Sequence, residues 1–277
     1  MKIVVLGAAG RMGQMHARHL IKMGHEIRCF DYAPLPDDLL QYMSPLEEPR
    51  WVEWGDGVVI ALPAKDHLWA IETAIKYDKH VFVEKPICTI EHLDETRKAV
   101  ELAREKQLVV AVGYNLRFHP VVMSVHDEIA TGMLKPMWGS FVLRQKPARP
   151  LAYFLEEWAS HEVDLAMHLM GSEDIDGASL FRGDDEIRIA IQHGPWGASF
   201  IHADAYTEPF RRAFTIVDRE GQARTWDIER NHVKPKDYQW ELEDWICSLP
   251  GGHVRTPCLA TGEDGLAVIE LLARVMR

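Results

Sequence analysis

A short β-branched run, KIVVL (residues 2–6), leads directly into GAAGRMG (7–13). It is followed by a segment in which Met12, Met15, His16, His19, Leu20 and Met23 recur near helical spacing. Few folds allow so abrupt a passage from strand to helix. Glycine lets the backbone turn sharply and lets a helix end lie close against the strand before it. The run predicts a buried strand, a tight turn and a helix from Arg11 to Met23, which Gly24 is placed to end.

The alternation continues. Strands are expected at 25–31, 57–62, 80–85 and 108–114, with helices at about 66–77 and 89–106. Strands spaced by helices fold as a parallel sheet with right-handed crossovers. Helices on both faces would bury the strands, which accounts for their nearly continuous apolar character. Residues 33–50 are rich in proline and acid, and read as a loop or one short helix where a longer βα unit could have stood.

After about residue 120 the pattern changes. A helix is expected at 120–131, strands at 137–145, 186–192, 198–205, 211–217 and 222–228, and a helix at 157–170 that interrupts them. Two helices, at about 237–248 and 261–276, end the sequence. Successive strands with short turns suggest a largely antiparallel sheet covered by helices on one face. A chain of 277 residues is long enough for two domains at roughly 150 residues each.

Charge and composition narrow the function. The formal net charge is −11, and so acidic a surface repels phosphate backbones, which argues against nucleic acid as a partner. No apolar run approaches the roughly 18–20 residues of a membrane span, and residues 3–6 are too short for a signal-peptide core. Cys29, Cys88, Cys247 and Cys258 lie far apart with no CxxC pair, as expected of thiols in a reducing compartment. A cytoplasmic protein is expected.

The glycine run has a chemical use. A helix N-terminus behind such a turn offers unpaired N–H groups and a partial positive charge to a pyrophosphate. Asp31 ends the second strand about twenty residues after Gly10, where a carboxylate can accept hydrogen bonds from both ribose hydroxyls of an adenosine. It would repel a 2′-phosphate, so NAD is favoured over NADP. Arg11, able to stack on adenine or neutralise a phosphate, keeps NADP open. The spacing G-x-x-G-x-x-G has one residue more in its turn than G-x-G-x-x-G. A purely structural βα turn is the competing reading of Gly7, Gly10 and Gly13.

Glu84-Lys85-Pro86 follows the apolar VFV of a strand. The carboxyl ends of strands in a doubly wound sheet face the ligand crevice. A half-desolvated lysine there can pass the proton of a substrate hydroxyl while hydride moves from carbon, with Pro86 fixing the backbone that follows. The competing reading is a surface Glu-Lys pair.

GAAGRMGQMHARHL, ALPAKDHLWAI, HVFVEKP, GYNLRFHP and SHEVDLAMHLMG occur in this order. Together they resemble the Gfo/Idh/MocA family of nicotinamide-dependent oxidoreductases through residues 3–171, and weakly again at 261–272. The resemblance implies a dinucleotide-binding Rossmann domain, placed here at residues 1–117. A substrate-binding and oligomerising α+β domain with an open, mostly antiparallel sheet is placed at 118–277. It implies reversible hydride transfer at a carbinol carbon of a sugar, cyclitol or related polyol, in a homo-oligomer, dimer or tetramer.

By resemblance Lys85 is the catalytic lysine. The cofactor would be held by Gly7, Gly10, Arg11, Met12, Gly13, Asp31, Pro63, His67, Glu84, Lys85, Pro86 and Asn115, and Arg117 would border the nicotinamide or the substrate. On the expected helix around SHEVDLAMHLMG, positions 161, 164, 165 and 168 share one face. The family pattern D-x-x-x-H-x-x-D places its histidine at His161 and its second aspartate at Asp164. Its first aspartate falls on Glu157, one methylene longer. His161 would bind the reacting hydroxyl or help relay its proton, with Glu157 and Asp164 orienting. A structural hydrogen-bonded cluster is the alternative for Asp164 and His168.

No metal centre is expected, since HExxH is absent and His202 and Asp204 lack an evident third ligand. Arg211, Arg212 and Arg224 are candidates for anion recognition or for pairing with carboxylates. Two further functions stay open: a dinucleotide-binding sensor without turnover, and a reductase of an unsaturated ring.

Overall fold

The computed structural model describes residues 1–44, 50–144, 159–171, 175–183, 186–195, 197–204, 211–228, 235–249 and 256–276. The chain forms two compact units. One comprises Met1–Tyr114 with Tyr238–Leu266, the other Asn115–Asp237 with the residues from Ala267 on.

The first unit is built on β1 (Lys2–Leu6), α1 (Arg11–Lys22), β2 (Glu26–Phe30), α2 (Arg50–Trp54), β3 (Gly57–Ile60), α3 (His67–Lys76), β4 (His80–Glu84), α4 (Leu93–Glu105) and β5 (Val110–Gly113). Its central strands are buried along almost their whole length, as continuous apolar runs require. β1 pairs in parallel with β2 and β3, β3 with β4, and β4 with β5. The proline-rich segment after β2 holds a 3₁₀ turn at Asp37–Tyr42, and a single parallel bridge from Met43 to Cys29 stands where a full strand had room to form.

The boundary differs from the expected one in one respect. The long first segment ends at Tyr114, close to the expected 117, but Tyr238–Leu266 also belongs to this unit. This stretch contains most of α7 (Pro235–Ser248) and β12 (Ala260–Thr261). β12 adds antiparallel to β5 and completes the order β12-β5-β4-β3-β1-β2. The indole of Trp245 on α7 is fully buried, with its centroid 5.8 Å from that of Phe82 on β4. Burial of so large a ring fixes α7 to the sheet. Two residues of β12 are too few to show a period in sequence.

The second unit contains α5 (Pro120–Ala130), β6 (Pro136–Arg144), α6 (Ser160–Met170), β7 (Ile175–Arg182), β8 (Glu186–His193), β9 (Gly197–Asp204), β10 (Arg211–Asp218) and β11 (Ala223–Asp227); α8 (Gly262–Met276) begins in the first unit and ends in this one. The strand order is β11-β10-β6-β9-β8-β7. All neighbours are antiparallel except β6 and β9, which run parallel. α6 packs on β6 and β9. Phe141, Leu143, Ile189, Ile191, Ile201, Phe214 and Ile216 of this sheet are buried. β7 was not foreseen. It is an edge strand, and its Asp176-Gly177 and Ser179 break the alternation. α6 starts at Ser160, and the expected first turn from 157 lies outside the described residues.

Trp245→Ala removes the largest fully buried side chain among the described residues and leaves a cavity against β4. The expected loss is about 3–5 kcal/mol of unfolding free energy, read from urea denaturation. A loss under about 1 kcal/mol would contradict the packing of α7 on the first sheet.

Candidate functional site

The turn after β1 has no room for side chains at two of its glycines. Gly7 has φ +80°, and a Cβ there would lie 2.4 Å from the Ala61 carbonyl oxygen. A Cβ on Gly13 would lie 2.1 Å from the Gly7 carbonyl oxygen. The first turn of α1 therefore sits directly on the end of β1. Gly10 is the N-cap, and its own N–H donates to Gly7 O at 3.1 Å. The first N–H groups of such a helix have no partner within it and point out of its end. Arg11 is exposed and Met12 half-buried at that end.

Asp31 stands beside the turn. Its Oδ2 accepts from the Ala9 N–H and its Oδ1 from the Ala33 N–H, both at 2.8 Å. The carboxylate is thereby fixed in direction, and each oxygen keeps a lone pair for a further donor. A cavity of about 840 Å³ opens at the carboxyl ends of β1, β2 and β3. Gly7, Gly10, Asp31 and Pro63, all expected at the cofactor, line it.

Its aromatic wall was not foreseen. Trp51, Trp69, Phe30 and Tyr32 also line the cavity, with Trp51 centred 6.2 Å from both Phe30 and Trp69. Trp51 is buried, while Trp69 is 45% exposed. A flat, partly exposed indole beside a fixed carboxylate suits a base stacked next to its ribose. The two tryptophans come from α2 and α3, and nothing local in sequence brings them together.

The EKP segment sits at the end of β4. Lys85 is half-buried, and its peptide bond to Pro86 is cis. Glu84 is buried, with Oε1 2.6 Å from His16 Nε2 on α1. His67 is also buried. Its Nδ1 lies 2.8 Å from Pro86 O and its Nε2 2.8 Å from Leu62 O. Both neighbours are carbonyl oxygens, and the ring lies between the turn after β3 and the turn after β4. His67 and Glu84, expected at the cofactor, hold these turns, but among the described residues neither lines the cavity, and neither do Arg11, Met12, Gly13, Lys85 or Pro86.

Asn115 and Arg117 belong to the second unit, as do the residues of α6. Asp164 is clamped by Arg117: both carboxylate oxygens accept from Nε at 3.0–3.1 Å, and Oδ1 also accepts from Nη2 at 2.6 Å. Both side chains are buried. A second buried pair joins Glu162 of the same helix to Arg212 of β10, with Arg212 Nε donating to Glu162 Oε1 at 2.6 Å. Arg211 pairs with Asp227 and Arg224 with Glu128, so these three arginines meet carboxylates of their own chain. His161 is half-buried on α6. His168 stacks flat on His126, centroids 4.6 Å apart. Glu157 lies outside the described residues.

Residues 41–114 match GFO_IDH_MocA, described as an oxidoreductase family with an NAD-binding Rossmann fold. The matched stretch contains Pro63, His67 and the EKP turn. Scyllo-inositol 2-dehydrogenase (NAD(+)) of Bacillus subtilis (strain 168) is 28% identical over 190 residues, 62% of this chain and 54% of that protein. The rhizopine catabolism protein MocA of Rhizobium meliloti is 23% identical over 298 aligned positions, covering 96% of this chain and 91% of that one. Over residues 41–114 the chain is similar to the Gfo/Idh/MocA family. The match spans about half the length of the Bacillus subtilis dehydrogenase. In fold, the solved UDP-N-acetylglucosamine 3-dehydrogenase from Acidithiobacillus ferrooxidans superposes with a TM-score of 0.79 at 19% identity, over 100% of this chain and 96% of that one.

Burial, helped by the Arg117 guanidinium and by His126, pushes the His168 imidazole from 6.5 down to about 2. Between those values the unfolded chain binds a proton at this residue that the folded chain does not, so stability falls as pH is lowered through that window. His168→Phe should reduce the slope of unfolding free energy against pH by about 1.4 kcal/mol per unit below about pH 6. Urea denaturation at several acidic pH values measures it, and an unchanged slope would contradict a neutral buried ring.

Proposed function

We propose that this protein is an NAD-dependent dehydrogenase acting on the carbinol carbon of a cyclitol, sugar or related polyol. The observation that supports it most is the fixed Asp31 carboxylate at the rim of the cavity, beside a helix end that Gly7 and Gly13 bring against β1. The residues present fit a dinucleotide. The α1 N-terminus suits a pyrophosphate, Asp31 suits two ribose hydroxyls, and Trp69 suits a base. A 2′-phosphate would meet the Asp31 charge, which favours NAD over NADP. The matched family description and the printed name of the Bacillus subtilis relative agree with this cofactor.

NAD, when bound, supplies the carbon centre that accepts or returns hydride. The chain supplies binding and proton transfer. In this reading the Lys85 amine takes the proton from the substrate hydroxyl as the C–H bond breaks, and returns it in the reverse direction. His161, at the position of the family histidine, is assigned to substrate binding. Glu157 and Asp164 orient the polyol, Asp164 doing so from its clamp with Arg117. Lys85→Met should retain NADH binding and lose turnover by about 10²–10⁴-fold with a substrate from a cyclitol and sugar panel. Turnover that survived intact would exclude Lys85 as the proton carrier.

We also infer a cytoplasmic homo-oligomer. Strand register puts Phe200 opposite Ser140 and Ala190, and Phe181 opposite Arg188, on the face of the second sheet away from α6. Trp138 shares that face, and Phe181 and Phe200 are 56% and 49% exposed. A second copy of the chain would cover this apolar surface. Sedimentation should give a dimer or tetramer, and Phe200→Glu should shift it toward monomer; a wild-type monomer at micromolar concentration would contradict the inference.

A further inference from the structure

We infer that His16 is a positioning residue for Lys85, acting through Glu84; this rests on the reading of Lys85 given above. Phe82 and Glu84 are alternate residues of β4 and turn to the same face. His16 on α1 meets both. Its ring is edge-on to Phe82, centroids 5.3 Å apart, and its Nε2 is 2.6 Å from Glu84 Oε1. His16 has no exposed side-chain surface, and Glu84 keeps 10% of its own. On its other side the carboxylate is hemmed by Gly113, where a Cβ would sit 3.4 Å from the Glu84 carboxyl carbon.

The ring's other nitrogen, Nδ1, is buried with no hydrogen-bond partner. A proton there would be stranded, so the geometry places the ring proton on Nε2, donating to the carboxylate. A buried carboxylate is retained only when paired, and this one has a short, charge-assisted bond from a helix whose own place is fixed by the Gly7–Gly13 contact.

The consequence reaches the next residue. In an extended chain the side chain after Glu84 is thrown to the opposite face. Holding Glu84 toward α1 therefore sets the direction in which Lys85 leaves the strand. One bond thus ties the helix behind the glycine turn to the turn that presents the amine, 68 residues apart in sequence. Neither the sequence pattern of α1 nor that of EKP gives His16 this role.

The test does not depend on knowing the substrate. Lysines of the full-length protein are reductively ¹³C-methylated, and the Lys85 signal is assigned by its loss in Lys85→Arg. His16→Phe keeps a ring against Phe82 and removes the donor. His16→Gln places an amide N–H near the position of Nε2. The Lys85 signal should shift in His16→Phe and return to its wild-type position in His16→Gln. NADH affinity should weaken by less than about tenfold in either, since the helix end is retained. A Lys85 signal unmoved in folded His16→Phe, or moved equally in His16→Gln, overturns the proposal. Should His16→Phe not fold, His16→Asn, whose shorter amide falls short of Glu84, takes its place with the same two outcomes. If the wild-type protein fails to bind NADH, the dehydrogenase reading fails, while the Lys85 comparison still decides whether His16 positions that residue.

Discussion

The contact between Gly7 and Gly13 is the constraint on which the first unit depends. A Cβ on Gly13 would overlap the Gly7 carbonyl oxygen, and a Cβ on Gly7 would overlap that of Ala61. That approach seats α1 on β1, points its first N–H groups beyond the sheet and brings the Ala9 amide to Asp31. The cavity, its carboxylate and its helix end follow from the same local geometry.

From that contact a chain of polar links runs across the sheet. His16 descends from α1 to Glu84 at the end of β4, and His67 joins the turn after β3 to the turn after β4. Each link uses a buried histidine, His16 against a carboxylate and His67 against backbone carbonyls. They place Pro63, Lys85 and Pro86 on short turns that are tied down at both ends, which suits a site needing fixed directions more than flexible loops. The second unit uses the same principle differently. Arg117–Asp164 and Arg212–Glu162 bury full charges against α6, where only paired ions are tolerated.

What the sequence revealed was local. The glycine turn, the buried parallel strands, Asp31 at the end of β2 and Lys85 at the end of β4 could all be read because each is defined within a few residues by spacing and polarity. The pairing of Arg117 with Asp164 was not legible, because the two residues are 47 positions apart; the helix pattern offers a structural hydrogen-bonded cluster for Asp164 but names no partner for it. The Trp51–Trp69 wall escaped for a similar reason: the two rings come from separate helices brought together by tertiary packing. β7 and β12 were missed as edge strands, one with a broken alternation and one with two residues. The return of residues 238–266 to the first unit depends on where Trp245 finds a partner, and sequence spacing carries no record of that.

The central claim is that the glycine turn and Asp31 form a dinucleotide site and not simply a structural βα turn. Fluorescence titration of the full-length protein with NADH tests it most directly, with NADPH as competitor. The account predicts saturable binding of NADH, displaced by NAD⁺ and only weakly by NADPH, and lost on Asp31→Lys in a protein that remains folded. No saturable signal from the folded wild-type chain, or equal binding by Asp31→Lys, would contradict it.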